Sequence, residues 1–113
     1  MTADERPETY RVAAALMRER PGPWEVAYDP PWGNPSDPST KLCLVAAIQE
    51  ACCPAADILS GERRYDEDAL FRALGAFYEA AGKAAIVFYQ EHGASASAGI
   101  LDDIAARLEA ERA

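Results

Sequence analysis

Cys43, His92 and Glu91 are the residues of this sequence whose side chains could assemble a nucleophilic site. A thiolate is a strong nucleophile, an imidazole can take the thiol proton, and Glu91 or Gln90 would orient the imidazole. Cys43 stands between two leucines, however, and lies about a turn and a half inside the helix predicted below, where the helix dipole has faded. A small buried thiol is the preferred interpretation, so no catalytic residue is assigned. A small cysteine-dependent enzyme using Cys43 and His92 is the alternative.

The sequence contains none of the common metal-binding or nucleotide-binding motifs. The sequence has one histidine and no C-x-x-C, H-E-x-x-H or E-x-x-H spacing, so no zinc or di-iron site is predicted. It also lacks the glycine-rich G-x-x-x-x-G-K-[ST] and G-x-G-x-x-G motifs that hold phosphate groups. No metal and no cofactor is expected.

Three cysteines are an odd number, and two of them, Cys52 and Cys53, are neighbours that rarely form a disulfide with each other. The segment Met1–Glu8 is polar and acidic, unlike a signal peptide, and no apolar run reaches the roughly 18 residues of a membrane span. These features predict a reduced, cytoplasmic protein.

The charge balance restricts the class of partner. Eleven basic and nineteen acidic side chains give a net charge of −8, which repels phosphate backbones and anionic lipid surfaces. Nucleic acid and membrane are therefore not expected as partners. Because the acidic residues are spread along the chain, a solubility-conferring surface is preferred over an acidic mimic of DNA.

The segment 21–38 contains six of the eight prolines and both tryptophans, a composition that cannot propagate a helix. One short strand over residues 24–28 is compatible with it. The residues Trp24, Tyr28 and Trp32 are candidate partner-binding residues, because binding is often carried by loops and tryptophan is enriched at binding hot spots. In the alternative interpretation, the tryptophans fold back as lids over an alanine-rich core.

The most apolar stretch of the chain predicts a central helix over 37–53. Asp37 is its expected N-cap and Pro38 its first helical residue. From Leu42 to Ile48 no side chain is charged, so this helix would be apolar on nearly every face and belongs in the middle of the fold.

The remaining chain predicts a mainly α, single-domain helical bundle over 1–113, with residues 1–6 as a frayed terminus. Ser97 is a possible cap of the last helix, and Gly61 and Gly82 are expected to end the helices before them. A short strand and a helix are both open for residues 84–91, so one strand or β-hairpin is not excluded. The other helices are expected at about 7–20, 56–60, 66–81 and 97–111, with a flexible connection at 93–99.

Alanine is abundant, so few large side chains are available to build the core. Ala69, Ala73, Ala76 and Ala80 form a strip of small residues at helical spacing, which suits close packing within the monomer or, alternatively, a homodimer face. The side chains expected to form the core are Leu16, Met17, Leu42, Val45, Ile48, Leu70, Phe71, Leu74, Phe77, Ile86, Phe88, Ile100, Leu101, Ile104 and Leu108.

Three stretches, AAALMRERPGPW, DPSTKLCLVAAIQEA and AIVFYQEHGASASAGILDDIAARL, together resemble a family of small uncharacterised proteins, a domain of unknown function from high-GC Gram-positive bacteria and their phages. The resemblance covers about residues 12–110. It places Trp24 in a turn after the first helix, Asp37 and Pro38 at a helix start, and Cys43 and Ala47 in a Cys-x-x-x-Ala core.

One family feature differs in this chain. Tyr89, Gln90 and Glu91 stand where the family has Trp-Asn-Asp, so the polar role of that turn does not transfer. The resemblance implies a small helical domain, and it brings no activity with it.

The function expected from the sequence is a non-enzymatic protein-binding or regulatory module that meets a protein partner through segment 21–38. The cysteine-dependent enzyme and a homo-oligomeric structural protein are the alternatives.

Overall fold

The computed structural model describes residues 6–22, 36–37, 40–62, 64 and 66–112. Within these ranges the chain is helical, with no strand and one isolated parallel bridge between Pro21 and Leu42. The prediction of a mainly α domain is confirmed. The helices are α1 (Pro7–Glu19), α2 (Leu44–Cys52), α3 (Ala55–Ser60), α4 (Glu67–Ala81) and α5 (Ala85–Arg112).

Helix α1 begins and ends where the sequence predicts. Pro7 occupies the first turn, where a missing N–H costs nothing, and Pro21 follows soon after the last helical residue. Tyr10, Ala13 and Met17 are buried along the stripe that faces the core. The helix therefore follows directly from its proline boundaries and its 3.6-residue periodicity.

Helix α2 is the central helix, but it is shorter than predicted. It runs over Leu44–Cys52 with Cys43 as its N-cap, whereas the sequence predicted a helix over 37–53 capped by Asp37. The expected first residue, Pro38, lies outside the described residues. The expectation that this helix lies in the middle of the fold is confirmed, because seven of its nine residues are buried.

Tertiary hydrogen bonds explain the late start of α2. The Leu42 N–H donates to the Arg20 carbonyl at 2.8 Å, and the Leu42 carbonyl accepts from the Gly22 N–H at 2.8 Å. The Arg20 guanidinium donates to the carbonyls of Asp37 and Thr40. Backbone groups that a longer helix would use are therefore paired with the end of α1, and the segment before Cys43 stays non-helical.

Helices α3 and α4 agree with the sequence signals. Asp66 caps α4 by accepting a hydrogen bond from the Ala69 N–H at 3.0 Å. Gly61 and Gly82 end α3 and α4 as predicted. Local capping signals therefore account for the start of α4 and for the ends of α3 and α4.

Helix α5 corrects two predictions. Residues 84–91, for which a strand and a helix are both open, are helical from Ala85 onward, and the connection expected at 93–99 is confined to Gly93, with helix on both sides of it. One residue interrupts α5: Gly93 has φ 84° and ψ −174°, a conformation essentially restricted to glycine. Ser97 is not a cap, because it lies inside the helix and its hydroxyl donates to the Gly93 carbonyl at 2.7 Å.

The core contains most of the large side chains predicted for it. Two predictions are wrong: Phe71 and Ile86 are 59% and 44% exposed. Of the alanine strip, Ala69, Ala73 and Ala76 are buried inside the monomer and Ala80 is partly buried, as close packing within the monomer requires. The predicted residues that are buried are Met17, Leu42, Ile48, Leu70, Phe77, Leu101 and Ile104, and those that are partly buried are Leu16, Val45, Leu74, Phe88, Ile100 and Leu108.

Charged side chains join α1 to α5 at the surface. Arg11 donates to Asp102 at 3.0 Å and to Glu109 at 2.6 Å, and Arg18 donates to the other Asp102 oxygen at 2.6 Å. Partial burial acts to raise the pKa of Asp102, but the hydrogen bonds from Arg18 and Arg11 outweigh it, so this pKa lies below its usual value. The bonds from Arg11 and Arg18 to Asp102 therefore stabilise the fold in full only while Asp102 is ionised.

Candidate functional site

The candidate partner-binding residues Trp24, Tyr28 and Trp32 lie outside the described residues. The structure does describe the chain on both sides of segment 23–35, and both sides are held by specific polar contacts. We call this set of contacts the loop base. It consists of residues 20–22, 36–37 and 40–43, together with Glu50, the start of α3 and Tyr89.

At the N-terminal side of the segment, three hydrogen bonds hold the chain at Arg20 and Gly22. The Gly22 N–H donates to the Leu42 carbonyl, the Gly22 carbonyl accepts from the Tyr89 hydroxyl, and the Arg20 carbonyl accepts from the Leu42 N–H. An added Cβ at Gly22 would lie 2.9 Å from the Lys41 Cβ and 3.2 Å from the Leu42 nitrogen. The close approach of the two backbones therefore requires glycine here.

Tyr89 supplies the link between this side of the loop base and α5. It is 8% exposed, and its hydroxyl donates to the Gly22 carbonyl. Burial raises the pKa of the Tyr89 hydroxyl above its usual value, and the nearby Cys43 adds to that direction. The phenol therefore stays protonated and remains a donor at neutral pH.

At the C-terminal side, Ser36 and Glu50 together cap helix α3. The Ser36 hydroxyl donates to the Glu50 carboxylate at 2.6 Å, and the same hydroxyl accepts from the Ala56 N–H at 2.9 Å. The other Glu50 oxygen accepts from the Ala55 N–H at 2.8 Å. Glu50 is only 8% exposed, and these bonds satisfy a carboxylate that would otherwise be costly to bury.

Arg20 connects the two sides. From the end of α1, its guanidinium donates to the carbonyl of Asp37 and, at 3.1 Å, to that of Thr40. A basic residue at the C-terminal end of a helix suits the helix dipole. In the fold Arg20 also ties residues 37–40 to the chain that precedes the loop.

Cys43 lies in the loop base, at a different helical position from the one expected. As the N-cap of α2, its sulfur accepts a hydrogen bond from the Ala46 N–H at 3.5 Å. The thiol is therefore at the positive end of the helix rather than inside it. It is buried, with 8% of the residue exposed.

The proposed catalytic partners of Cys43 lie elsewhere. His92 is exposed, its ring centroid lies 4.6 Å from that of Phe88, and its Nε2 atom lies 3.7 Å from a Glu91 oxygen. Glu91 accepts from Lys83, whose hydrogen bond lowers the pKa of the Glu91 carboxyl. No hydrogen bond of the described residues joins Cys43 to His92, so the structure does not assemble the predicted nucleophile and base.

The three thiols are free and buried. Cys52 and Cys53 donate to the carbonyls of Ala69 and Arg64, at 3.8 and 3.1 Å, so both serve in packing between α2 and the chain around the start of α4. In the described ranges, no group of three or more potential metal ligands is found. No helix there combines the length and apolar character needed to cross a bilayer.

Sequence reasoning missed Gly22, Ser36, Glu50 and Tyr89 as members of the site. One signal was available: Glu50 is the lone charged residue of a helix that is otherwise uncharged, and a buried carboxylate must have partners. The identity of those partners could not be read from the sequence, because Ser36 is 14 residues away.

Comparisons of this chain with protein-family models, with curated proteins and with solved structures found no match. The resemblance described from the sequence therefore stays a prediction, and function must be argued from the loop base itself.

Proposed function

We propose that this protein is a non-enzymatic protein-binding or regulatory module that meets its partner through segment 21–38. The observation that supports the proposal is the attachment of this segment at both ends. Gly22 is bonded to Leu42 and Tyr89, and Ser36 is bonded to Glu50 and the start of α3.

The physical argument concerns the cost of ordering a loop. A loop that is fixed only when it binds loses conformational entropy at that moment, which weakens binding. Here the chain on both sides of the segment is already held in the folded protein, so fixing these two ends adds nothing to the cost of binding. The anchors include a buried carboxylate and a buried phenol, and such groups are costly to bury unless they are hydrogen-bonded.

The composition of the segment supplies the contact residues. Trp24, Tyr28 and Trp32 lie between the two anchored ends, and large aromatic side chains on loops of a rigid scaffold contribute strongly to protein interfaces. The net charge of −8 makes a protein partner more favourable than nucleic acid.

The test is affinity capture from a lysate of the source organism with four immobilised variants: wild type, Trp32→Ala, Tyr89→Phe and Leu59→Ala. Leu59 is 76% exposed on α3, so its variant controls for the loss of a large exposed apolar side chain outside the loop. We expect one partner bound by wild type and by Leu59→Ala, and bound about tenfold less by Trp32→Ala.

Tyr89→Phe removes one anchor without changing segment 21–38. We expect it to weaken binding of the same partner by a smaller factor, because only the hydrogen bond to Gly22 is lost. Identical captured proteins for wild type and Trp32→Ala would contradict the proposal and favour the tryptophans as lids over the core.

The cysteine-dependent enzyme has one favourable observation, the position of Cys43 at the N-terminus of α2. Its burial argues against easy reaction. We expect a thiol reagent to label Cys43 in the native protein far more slowly than in the urea-unfolded protein. Rapid labelling that is abolished by Cys43→Ser would favour the enzyme instead. The homo-oligomer is tested by a native mass measurement.

A further inference from the structure

Helix α4 exposes an apolar face that the loop base does not use. Phe71 and Tyr78 are 59% and 57% exposed, and they lie seven residues apart, which places them on the same side of the helix. The partly buried Leu74 and the exposed Gly75 lie between them. We call these four residues the outer face of α4.

Gly75 is a second, independent feature of this face. It lies in the middle of α4, and a Cβ added there would meet nothing within 4 Å. Packing inside the monomer therefore does not require glycine, although glycine weakens a helix relative to alanine. Because Gly75 has no side chain, it leaves a notch between the Phe71 and Tyr78 rings, where the backbone of another helix can approach closely.

Acidic side chains border the outer face of α4. Glu67, Asp68 and Glu79 are exposed on the same side of α4, and no hydrogen bond or ion pair of the described residues engages them. Acidic residues at the α1–α5 surface differ, since Asp102 is paired with arginines. Arg72 is also exposed on α4, which leaves an excess of negative charge along this face.

An open depression adjoins the N-terminal end of the outer face. It has a volume of about 420 Å³ and is lined by Arg64, Asp66, Glu67 and Asp68. Asp66 is committed to capping α4, so the carboxylates of Glu67 and Asp68 are the acceptors that this depression offers to a cationic side chain.

A second copy of the chain is a poor occupant. Each copy carries a net charge of −8, and a symmetric contact along α4 would bring like-charged carboxylates together. Anionic lipid is disfavoured for the same reason. The apolar centre with an acidic border fits an occupant with the opposite pattern.

We propose that the outer face of α4 binds an amphipathic helix of a partner protein whose apolar residues are bordered by lysine or arginine. The apolar side chains contact Phe71, Leu74 and Tyr78 around the Gly75 notch, and the basic side chains pair with Glu67, Asp68 and Glu79. From Phe71 to Tyr78 the face extends roughly 10 Å along the helix. This short contact corresponds to a weak, transient interaction.

The test uses a defined probe, a synthetic 18-residue helix with leucine on one face and lysine on the other, titrated into ¹⁵N-labelled protein. A peptide with glutamate in place of lysine is the matched probe. We expect chemical-shift changes centred on α4 with the lysine peptide and none with the glutamate peptide, because only the first complements the acidic border.

Substitutions on and off the outer face distinguish binding at this face from a general attraction of the basic peptide to an acidic protein. Phe71→Ser/Tyr78→Ser is expected to raise Kd about tenfold or more, and Gly75→Gln, which fills the notch without changing charge, is expected to raise it as well. Val12→Ser/Leu59→Ser alters two exposed apolar residues on other helices and is expected to leave Kd within about twofold.

Two results would overturn the proposal. One is equal binding of the lysine peptide to wild type and to the Phe71→Ser/Tyr78→Ser protein. The other is a concentration-dependent dimer of the protein alone, seen by sedimentation and dispersed by the same double substitution, which would assign the face to a second copy. Because Trp32 and Tyr89 are unchanged in these variants, the outcome is independent of the function proposed for segment 21–38.

Discussion

Replacing Glu50 tests whether the loop base is a structural anchor. Its two oxygens accept from the Ser36 hydroxyl at 2.6 Å and from the Ala55 N–H at 2.8 Å, in a residue that is 8% exposed. Glu50→Ala removes both acceptors at once. The Ala55 N–H then stays buried without a partner, and Ser36 loses its bond to a charged group.

The magnitude follows from these two losses. A buried donor left unpaired costs about 1–3 kcal/mol, and a hydrogen bond to a charged group contributes about 1.5–3 kcal/mol. Glu50→Ala also removes the free-energy cost of keeping a carboxylate buried, which offsets part of this sum. We therefore expect Glu50→Ala to lower the free energy of unfolding by about 3 kcal/mol. Glu50→Gln keeps an acceptor for Ala55 and should cost roughly half as much.

The assay is urea unfolding followed by circular dichroism at the helical band. Glu79→Ala is the matched control, because Glu79 is exposed on α4 and its loss should change the free energy of unfolding by less than about 0.5 kcal/mol. A double-mutant cycle with Ser36→Ala then isolates the bond between Ser36 and Glu50, for which we expect a coupling energy of about 1–2 kcal/mol.

Two results would refute the reasoning. If Glu50→Ala unfolds within about 0.5 kcal/mol of wild type, the carboxylate does not hold helix α3 and the loop end. If the Ser36 and Glu50 effects are strictly additive, the two side chains do not act as one cap, and the attachment of segment 23–35 at its C-terminal side would have to be reconsidered.

Three further substitutions test other parts of the fold by the same unfolding measurement. Gly22→Ala should lower the free energy of unfolding by about 1–3 kcal/mol, since its Cβ would overlap Lys41 and the Leu42 backbone. An unchanged free energy of unfolding would show that the chain at Gly22 can move away from Lys41 and Leu42 without cost. Gly93→Ala should lower the free energy of unfolding by about 1–3 kcal/mol, because alanine is strained at the positive φ of residue 93. Gly99→Ala in the same helix should raise it by about 0.5–1 kcal/mol. Equal effects at the two sites would contradict the special conformational role of Gly93. Asp102→Asn should cost about 1 kcal/mol at pH 7. Because the folded pKa of Asp102 is lowered, its stabilisation is full above the unfolded pKa of about 3.9 and is lost as pH falls through the folded value, so wild type and variant should converge near pH 2.

Local signals in the sequence predicted the helices well where a helix end depends on neighbouring residues. Pro7 and Pro21 delimit α1, and Asp66 and Gly82 delimit α4, as expected. The connection expected at 93–99 is shorter than its glycine and serine content indicated. One glycine absorbs the break, and the helix resumes directly after it.

The candidate site was predicted only in part. The composition of segment 21–38 indicated a loop with aromatic contact residues, and Trp24, Tyr28 and Trp32 lie outside the described residues. The residues that hold it were not predictable, because each anchor pairs groups that are distant in sequence. Phe71 shows the same limit: its position in an apolar pattern indicated burial, whereas its 59% exposure depends on which helices pack against α4.

By itself, the sequence determined the helical class, the ends of α1 and α4, and the central place of the apolar segment that became α2, because propensity, capping and periodicity act over a few residues. Only the tertiary structure decided where α2 begins and what holds the proline and aromatic segment. The Leu42 backbone pairs with Arg20 and Gly22, and the Tyr89 hydroxyl reaches Gly22 across 67 residues of chain. Such bonds form only after the helices have packed, since packing alone brings these groups within reach and removes the water that would otherwise satisfy them.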